Sequence, residues 1–221
     1  MPRGKAPSHD LQRDTILNTS AEIFAELGYA SATMQQIAAR CGVSKSLLYH
    51  YYSSKDAILF DLLDHYTKRL LEIVRAVDQL ALAPRSKLDE LIRRFVFEYE
   101  HSRSRHTVLL RDVRFLPASQ SKQIIDAQKE MVNAYAANIA AAQGVPLARA
   151  KALAMALFGM INWTFTWLRP AGELSYAQFA ETVVAFMAGG LEPAAKAIKT
   201  NLSPKSASKS ASKLASKGTP T

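Results

Sequence analysis

Residues 33–55 read TMQQIAARCGVSKSLLYHYYSSK, and the reading of this stretch decides the fold. Met34, Ile37, Ala38 and Cys41 follow the i, i+3, i+4, i+7 spacing of one buried helix face. Thr33 is placed to N-cap that helix, and Gly42 follows where a positive φ stops it. Val43 is the apolar plug before a second helix, which Ser44 caps. That helix carries Lys45, Ser46, Leu47, Tyr49, His50 and Tyr51 around one inward residue, Leu48. Between Leu27 and Lys55 there is no Asp or Glu, while Arg40, Lys45 and Lys55 are basic. An acid-free surface of hydroxyls, tyrosine and lysine suits a polyanion. A helical pair with a Gly turn also arises from plain packing. The caps, the missing acids and the aromatic-hydroxyl run favour a helix-turn-helix that enters DNA.

Outward from this motif the chain is helical in period, with no strand-like alternation of any length. The spacing predicts a first helix from about Asp10 to Leu27, with Ile16, Leu17, Ala21, Phe24 and Leu27 inward and Gly28 as its stop. A long amphipathic helix is expected over 55–82, and Pro84 separates it from one over 87–102. Further helices are expected over 103–116, 119–143 and 147–168, with Pro117, Gly144, Pro146 and Pro170 as breaks. Ser175 caps a last helix that runs to about Lys199. The expected class is all-α. A helix-turn-helix head occupies 1–55, a ligand-binding and dimerisation domain 56–199, and a disordered Lys/Ser/Ala-rich tail 200–221.

Composition sets the outer limits. The chain has 221 residues and 48% hydrophobic content, enough for a real core. Its net charge is +9, but Lys199, Lys205, Lys209, Lys213 and Lys217 lie in an acid-free end, so the body is only mildly basic. DNA binding therefore rests on local pattern more than on total charge. The tail lysines serve solubility or add non-specific affinity for phosphate. Cys41 is the single cysteine, which excludes an intramolecular disulfide and fits a reducing interior; it is read as a small core residue. The start, MPRGKAPSHD, has no apolar stretch of a signal peptide, so a cytoplasmic protein is expected. The apolar run 152–168 has about the length of a membrane span. Asn162, Thr164 and Thr166 inside it favour a helix buried between its own core and a partner subunit.

The first 60 or so residues closely resemble the TetR family of bacterial transcriptional regulators. The residues that carry the resemblance are Ile23-Phe24, Gly28-Tyr29, Thr33 with Ile37-Ala38, Gly42-Val43-Ser44-Lys45, Leu48-Tyr49-His50-Tyr51-Tyr52 and Ser54-Lys55. The resemblance implies an all-α homodimer that reads a palindromic operator in double-stranded DNA. It also implies a small-molecule effector bound among the later helices and a four-helix dimer bundle made by the last two helices of each subunit. Carried over, Thr33 and Gln35 touch phosphate or a base, and Ser44 opens the recognition helix. Lys45, Ser46 and Leu47 face bases, with Lys45 suited to guanine and Leu47 to a thymine methyl. Tyr49, Tyr51 and Lys55 contact phosphates, and His50 sits at the phosphate or is partly packed. Many relatives have Gly-Thr where this chain has Ser46-Leu47, so the half-site sequence is open. Arg3 and Lys5 form an arm toward a minor groove or a free terminus.

For the effector, the later helices supply aromatic residues and an excess of cations. From 101 to 125 stand Arg103, Arg105, Arg111, Arg114 and Lys122 with one acid, Asp112. Guanidinium groups pair with phosphate or carboxylate, and Trp faces stack on planar rings. Tyr99, Arg111, Arg114, Phe115, Phe158, Asn162, Trp163, Trp167 and Arg169 are accordingly the expected ligand set, and an acyl-CoA fits it. The segment FGMINWTFTWLRPAGELS is similar, more loosely, to TetR-type regulators of fatty-acid, phenylacetate and steroid-ring catabolism. A sensor of apolar or cationic drugs that controls efflux genes is the rival; Glu98, Glu100, Asp126 and Glu130 could then serve. A low-specificity DNA-coating protein using its basic tail is another.

No catalytic residue, metal site or cofactor is expected, and the chain does not read as an enzyme. It has no nucleophile motif, phosphate loop or zinc spacing. His101 and His106 are five apart, not the i, i+4 pair of helix-borne ligands, and both are read as surface or rim residues. Glu98-x-x-His101 is half of a di-iron signature whose second half is missing.

Overall fold

The helical periods are realised as helices throughout residues 7–190, the part of the chain that the computed structural model describes. Arg3, Lys5 and the tail at 200–221 lie outside the described residues, and the last helix, expected to run to about Lys199, ends at Gly189, where Gly190 takes a φ of +83°. Two compact units are present, Met1–Trp167 and Leu168–Thr221. The first holds α1 (Pro7–Leu27), α2 (Met34–Arg40), α3 (Lys45–Tyr51), α4 (Lys55–Asp78), α5 (Pro84–His101) and α6 (Arg103–Asp112). A 3-10 turn, Val113–Phe115, follows α6, and α7 (Ala118–Gln143), α8 (Leu147–Asn162) and α9 (Thr164–Trp167) complete the unit. The second unit holds α10 (Tyr176–Gly189), opened by a capping box of Ser175 and Gln178. No strand occurs among the described residues.

The head forms because three short apolar faces meet. Ile16, Leu17, Ala21, Ile23 and Phe24 of α1, Ile37 and Ala38 of α2, and Leu48 of α3 are all buried. Between α2 and α3 the chain reverses at Gly42, whose φ is +68°. Its N–H donates to the Ala39 carbonyl at 3.2 Å, and that of Val43 to Ala38 at 3.0 Å. These two bonds close the end of α2 in a Schellman motif, a geometry that strongly favours glycine. Cys41 is half-buried rather than core, because the helix ends at it and the chain turns away.

Helix α4 then carries the fold from the head into the body. Its inward face, with Ile58, Leu59, Leu62, Leu63, Tyr66, Leu70, Val74 and Val77, is buried along its whole length. Near its start, the Asp61 carboxylate accepts two bonds from the Arg13 guanidinium of α1, at 3.0 and 2.5 Å. It also accepts the Tyr52 hydroxyl at the end of α3, at 2.5 Å. One acid thus ties three helices, with bidentate geometry on the arginine. Burial first, and this bond second, hold the Tyr52 phenol well above its usual pKa.

In the body, α5, α7 and α8 close on an aromatic cluster. Phe95 meets Tyr135 edge-on at 5.2 Å, and Tyr135 lies 4.8 Å from Phe158. The buried Tyr135 hydroxyl donates to the Leu91 carbonyl at 3.0 Å, which removes the cost of enclosing it. Pro84 starts α5 instead of standing between helices, since its missing N–H costs nothing at a first turn. The expected helix 147–168 stops at Asn162. There the Thr164 hydroxyl donates to the Ile161 carbonyl at 2.8 Å, giving the backbone an alternative to continuing the ladder. The unbroken apolar span is therefore a shorter helix, and no single described helix is long and apolar enough to cross a membrane.

A Cβ added at Gly42 meets nothing within 4 Å, so its cost is purely conformational. Gly42→Ala is expected to lose about 1–2 kcal/mol in urea unfolding. Phe95→Ala, which empties the aromatic cluster, is expected to lose about 3–5 kcal/mol.

Candidate DNA interface and effector cavity

The caps of the head leave one polar face outward. The Thr33 hydroxyl accepts the Gln36 N–H at 3.2 Å, and the Gln36 amide oxygen accepts the Thr33 N–H at 2.8 Å. Ser44 accepts the Leu47 N–H at 3.1 Å and so starts α3. With Leu48 as the sole buried residue of α3, Lys45, Ser46, Leu47, Tyr49 and His50 are all exposed, and Tyr51 is half-buried. Thr33, Gln35 and Ser44 are exposed beside them. Leu47 is 40% and Tyr49 45% exposed, a large apolar outlay for a surface that packs against nothing in its own fold. The Lys45 ammonium lies 5.9 Å from the Tyr49 ring centre.

Lys55 is placed differently from the expected phosphate contact. Its ammonium donates to the carbonyls of Tyr29 at 2.7 Å, Ala32 at 2.8 Å and Ala30 at 3.3 Å. It also sits 4.4 Å from the Tyr29 ring centre. An ammonium has three donors, and here all three face the α1–α2 loop. Asp56 accepts the Tyr29 hydroxyl from the same end of α4. Lys55 is thus a brace of the motif.

Arg111, Arg114 and Phe115, expected around the ligand, instead face the head. Arg111 donates to the Phe24 and Ala25 carbonyls at 2.8 and 3.2 Å, in the last turn of α1. Phe115 lies 5.1 Å from the Tyr29 ring, and the Arg114 guanidinium 5.0 Å from the Phe115 ring. Asp112 between them is buried, and burial raises its carboxyl pKa against the pull of Arg111 and Arg114. The spacing of these arginines along the sequence could not show which way α6 turns them.

A cavity of about 470 Å³ opens between α4, α5, α6, α7 and α8. Its wall is mostly apolar, with Leu70, Leu109, Met131 and Phe158. Tyr99 and Asn162 also line it, joined by a 2.9 Å bond from the tyrosine hydroxyl to the amide oxygen. Of the expected ligand set, the structure brings together Tyr99, Phe158 and Asn162 here. Trp163 and Trp167 are not among the lining residues and stand 63% and 47% exposed. Arg169 is exposed and belongs to the second unit. The cations that do reach the cavity are Lys129 and Lys151, both exposed. Lys129 and Lys122 bond Asp126 and hold its carboxyl below the usual range. No Asp or Glu lines the cavity among the described residues.

His106, read from sequence as a surface or rim residue, is 1% exposed and lines this cavity. Its ring stacks on Tyr99 with centres 3.7 Å apart, and its Nδ1 lies 3.4 Å from the Tyr66 hydroxyl. Burial pushes its pKa down to about 4, with the main chain of Asn162 pulling weakly the other way. The imidazole is neutral at physiological pH. The overlooked signal was the i, i+3 spacing of His106 with Leu109, which puts both on one face of α6.

Comparison with known proteins agrees with this layout. Residues 16–62 match the family described as "Bacterial regulatory proteins, tetR family", and residues 81–191 match "Tetracyclin repressor-like, C-terminal domain". A TetR-family transcriptional regulator from Bordetella parapertussis is 35% identical, covering 80% of this chain and 94% of that one, with a TM-score of 0.76. The HTH-type transcriptional activator FasR of Mycolicibacterium smegmatis is 26% identical over 190 residues, 86% of this chain and 87% of its own. AibR, solved in complex with isovaleryl coenzyme A and operator DNA, shares the fold at a TM-score of 0.71 and 24% identity, over 79% of this chain and 97% of that one. These relatives are transcription regulators, not enzymes.

Replacing Lys55 by Met removes a charged donor from three carbonyls and is expected to lower stability by about 1.5–3 kcal/mol in urea unfolding. His106 contributes to acid sensitivity. Its pKa is about 6.5 when unfolded and about 4 when folded, so the unfolded state binds the extra proton between these values. Its contribution is full above that window and is lost as pH falls through it. The stability of His106→Phe should therefore fall less steeply from pH 6.5 to 4 than that of the wild type, by up to about 1.4 kcal/mol per pH unit.

Proposed function

The chain belongs to the TetR family of DNA-binding transcriptional regulators, and we propose that it acts as a homodimer released from a palindromic operator when an acyl-CoA fills its cavity. Residues 1–55 read DNA, 56–199 hold the effector and the partner copy, and 200–221 form an appended tail. Lys45, Ser46 and Leu47 face base edges in the major groove, with Ser44 at the helix start. Thr33, Gln35, Tyr49, His50 and Tyr51 meet the sugar-phosphate backbone and set the register. The partner copy covers exposed apolar residues on and just after α8, among them Leu147, Leu153 and Trp163.

The observation that carries the effector class is the make-up of the cavity. Its volume lies within the range of small-molecule sites, and its wall is apolar with few polar groups. Lys151 at that wall, with Lys129 already paired to Asp126 and no carboxylate among the lining residues, favours an apolar ligand with an anionic end over a cationic drug. An acyl chain with a CoA headgroup has both parts, and AibR offers a precedent on the same fold. FasR is named an activator, which supports a second reading of the sign of regulation. Which conformation the ligand prefers decides between release and tighter binding.

A gel shift on DNA upstream of the chain's own gene, titrated with CoA thioesters and their free acids, tests the proposal. One thioester is expected to release the operator at micromolar level while its acid does not. Specific binding that ignores the whole panel would discard the acyl-CoA. Lys151→Glu should weaken the effective thioester by roughly tenfold without altering operator affinity. Lys45→Ala should cost about 1–3 kcal/mol of operator affinity, relax the base preference at the position it faces, and leave the melting temperature unchanged.

A further inference from the structure

Two hydroxyls and an imidazole meet where α4, α5 and α6 converge, and their hydrogen bonds can be counted. Tyr66, Tyr99 and His106 are all buried. The Tyr99 hydroxyl donates to Asn162. Among the described residues the Tyr66 hydroxyl meets His106 Nδ1, at 3.4 Å. His106 Nε2 is buried with no hydrogen-bond partner among the described residues.

A neutral imidazole has two tautomers, and they differ in what they leave unpaired. With the proton on Nδ1, the nitrogen donates to Tyr66, and both the phenol proton and the Nε2 lone pair are stranded. With the proton on Nε2, the phenol donates to Nδ1, and only the Nε2–H is stranded. The second tautomer leaves fewer orphans and is the favoured one, since an unpaired buried donor carries the full cost of its desolvation. The low pKa excludes a charged ring that would donate from both nitrogens.

We propose that His106 Nε2–H is the donor that recognises an acceptor oxygen of the effector, the carbonyl of an acyl thioester, inside the apolar cavity. The histidine lines that cavity, and an incoming carbonyl satisfies an N–H that the protein itself leaves unpaired. Tyr66 holds the tautomer from behind, and stacking on Tyr99 holds the plane of the ring. A ligand of the same shape without the oxygen leaves the donor stranded. Discrimination against it is then much larger than that against a missing methylene. The inference rests on the cavity being the effector site.

The test uses decanoyl-CoA and its thioether analogue S-decyl-CoA, in which a methylene replaces the carbonyl. Both are titrated into the full-length protein by calorimetry. The wild type is expected to bind the thioester about tenfold more tightly. In His106→Phe that ratio should fall toward one, while thioether affinity changes by less than about threefold. Nitrogen NMR of histidine-labelled wild type gives a second reading that needs no variant. Nε2 should carry the proton at neutral pH, and its signal should move with the thioester but not with the thioether. Equal affinities in the wild type, or a proton found on Nδ1, would overturn the donor role and leave the acyl-CoA reading standing. Failure of every thioester of the panel, decanoyl-CoA included, to bind would overturn both.

Discussion

Helix α4 has to be apolar on one side from end to end, and the rest of the structure depends on that constraint. Its first turns complete the head, where Ile58 and Leu59 are buried and Asp61 gathers Arg13 and Tyr52. Its later turns are a wall of the body, where Leu70 lines the cavity and Tyr66 backs His106. A helix buried at both ends cannot slide or tilt at one end without disturbing packing at the other, because interiors are close-packed. The same helix starts at Lys55, whose ammonium gathers the loop that opens the DNA motif.

Helix α6 has a similar double attachment at right angles to its length. One face presents His106 and Leu109 to the cavity. Another sends Arg111 to the last carbonyls of α1, and the turn after it stacks Phe115 on Tyr29. Cationic side chains on the carbonyl end of a helix also meet the negative end of its dipole. The arginines that look in sequence like a ligand-binding cluster are therefore largely occupied in holding the head. Arg105 fits the same pattern, donating to Asn18 of α1, while Arg103 donates to the Phe165 carbonyl of α9 within the body. What remains for a ligand is a cavity with lysines at its wall and neutral polar groups within.

The DNA face and the cavity differed in how far they could be read from residues alone. The motif at 33–55 is local: its caps, its Gly42 turn and its single inward leucine lie within a few residues of one another. Exposure of Lys45, Ser46, Leu47, Tyr49 and His50 follows from that local geometry. The exception is Lys55, whose partners Tyr29, Ala30 and Ala32 are more than twenty residues away. The cavity is assembled from five helices far apart in sequence, and only Tyr99, Phe158 and Asn162 were anticipated. Trp163 and Trp167 looked like ligand contacts because they are large and aromatic, yet α8 ends at Asn162 and leaves both exposed.

By itself, then, the sequence determined the all-α class, the stops between helices, the DNA-facing motif and the family, because caps, turns and 3.6-residue periods are short-range physics. Tertiary structure alone decided which charges are spent inside the protein and which reach the cavity. The direction of a side chain on α6 depends on how that helix rolls against α1 and α4, and no spacing along one helix encodes the roll. His106 is the clearest case. Its i, i+3 partner marks a face of α6, but only the arrival of Tyr66 and Tyr99 from two other helices makes that face an interior and leaves one imidazole N–H without a partner.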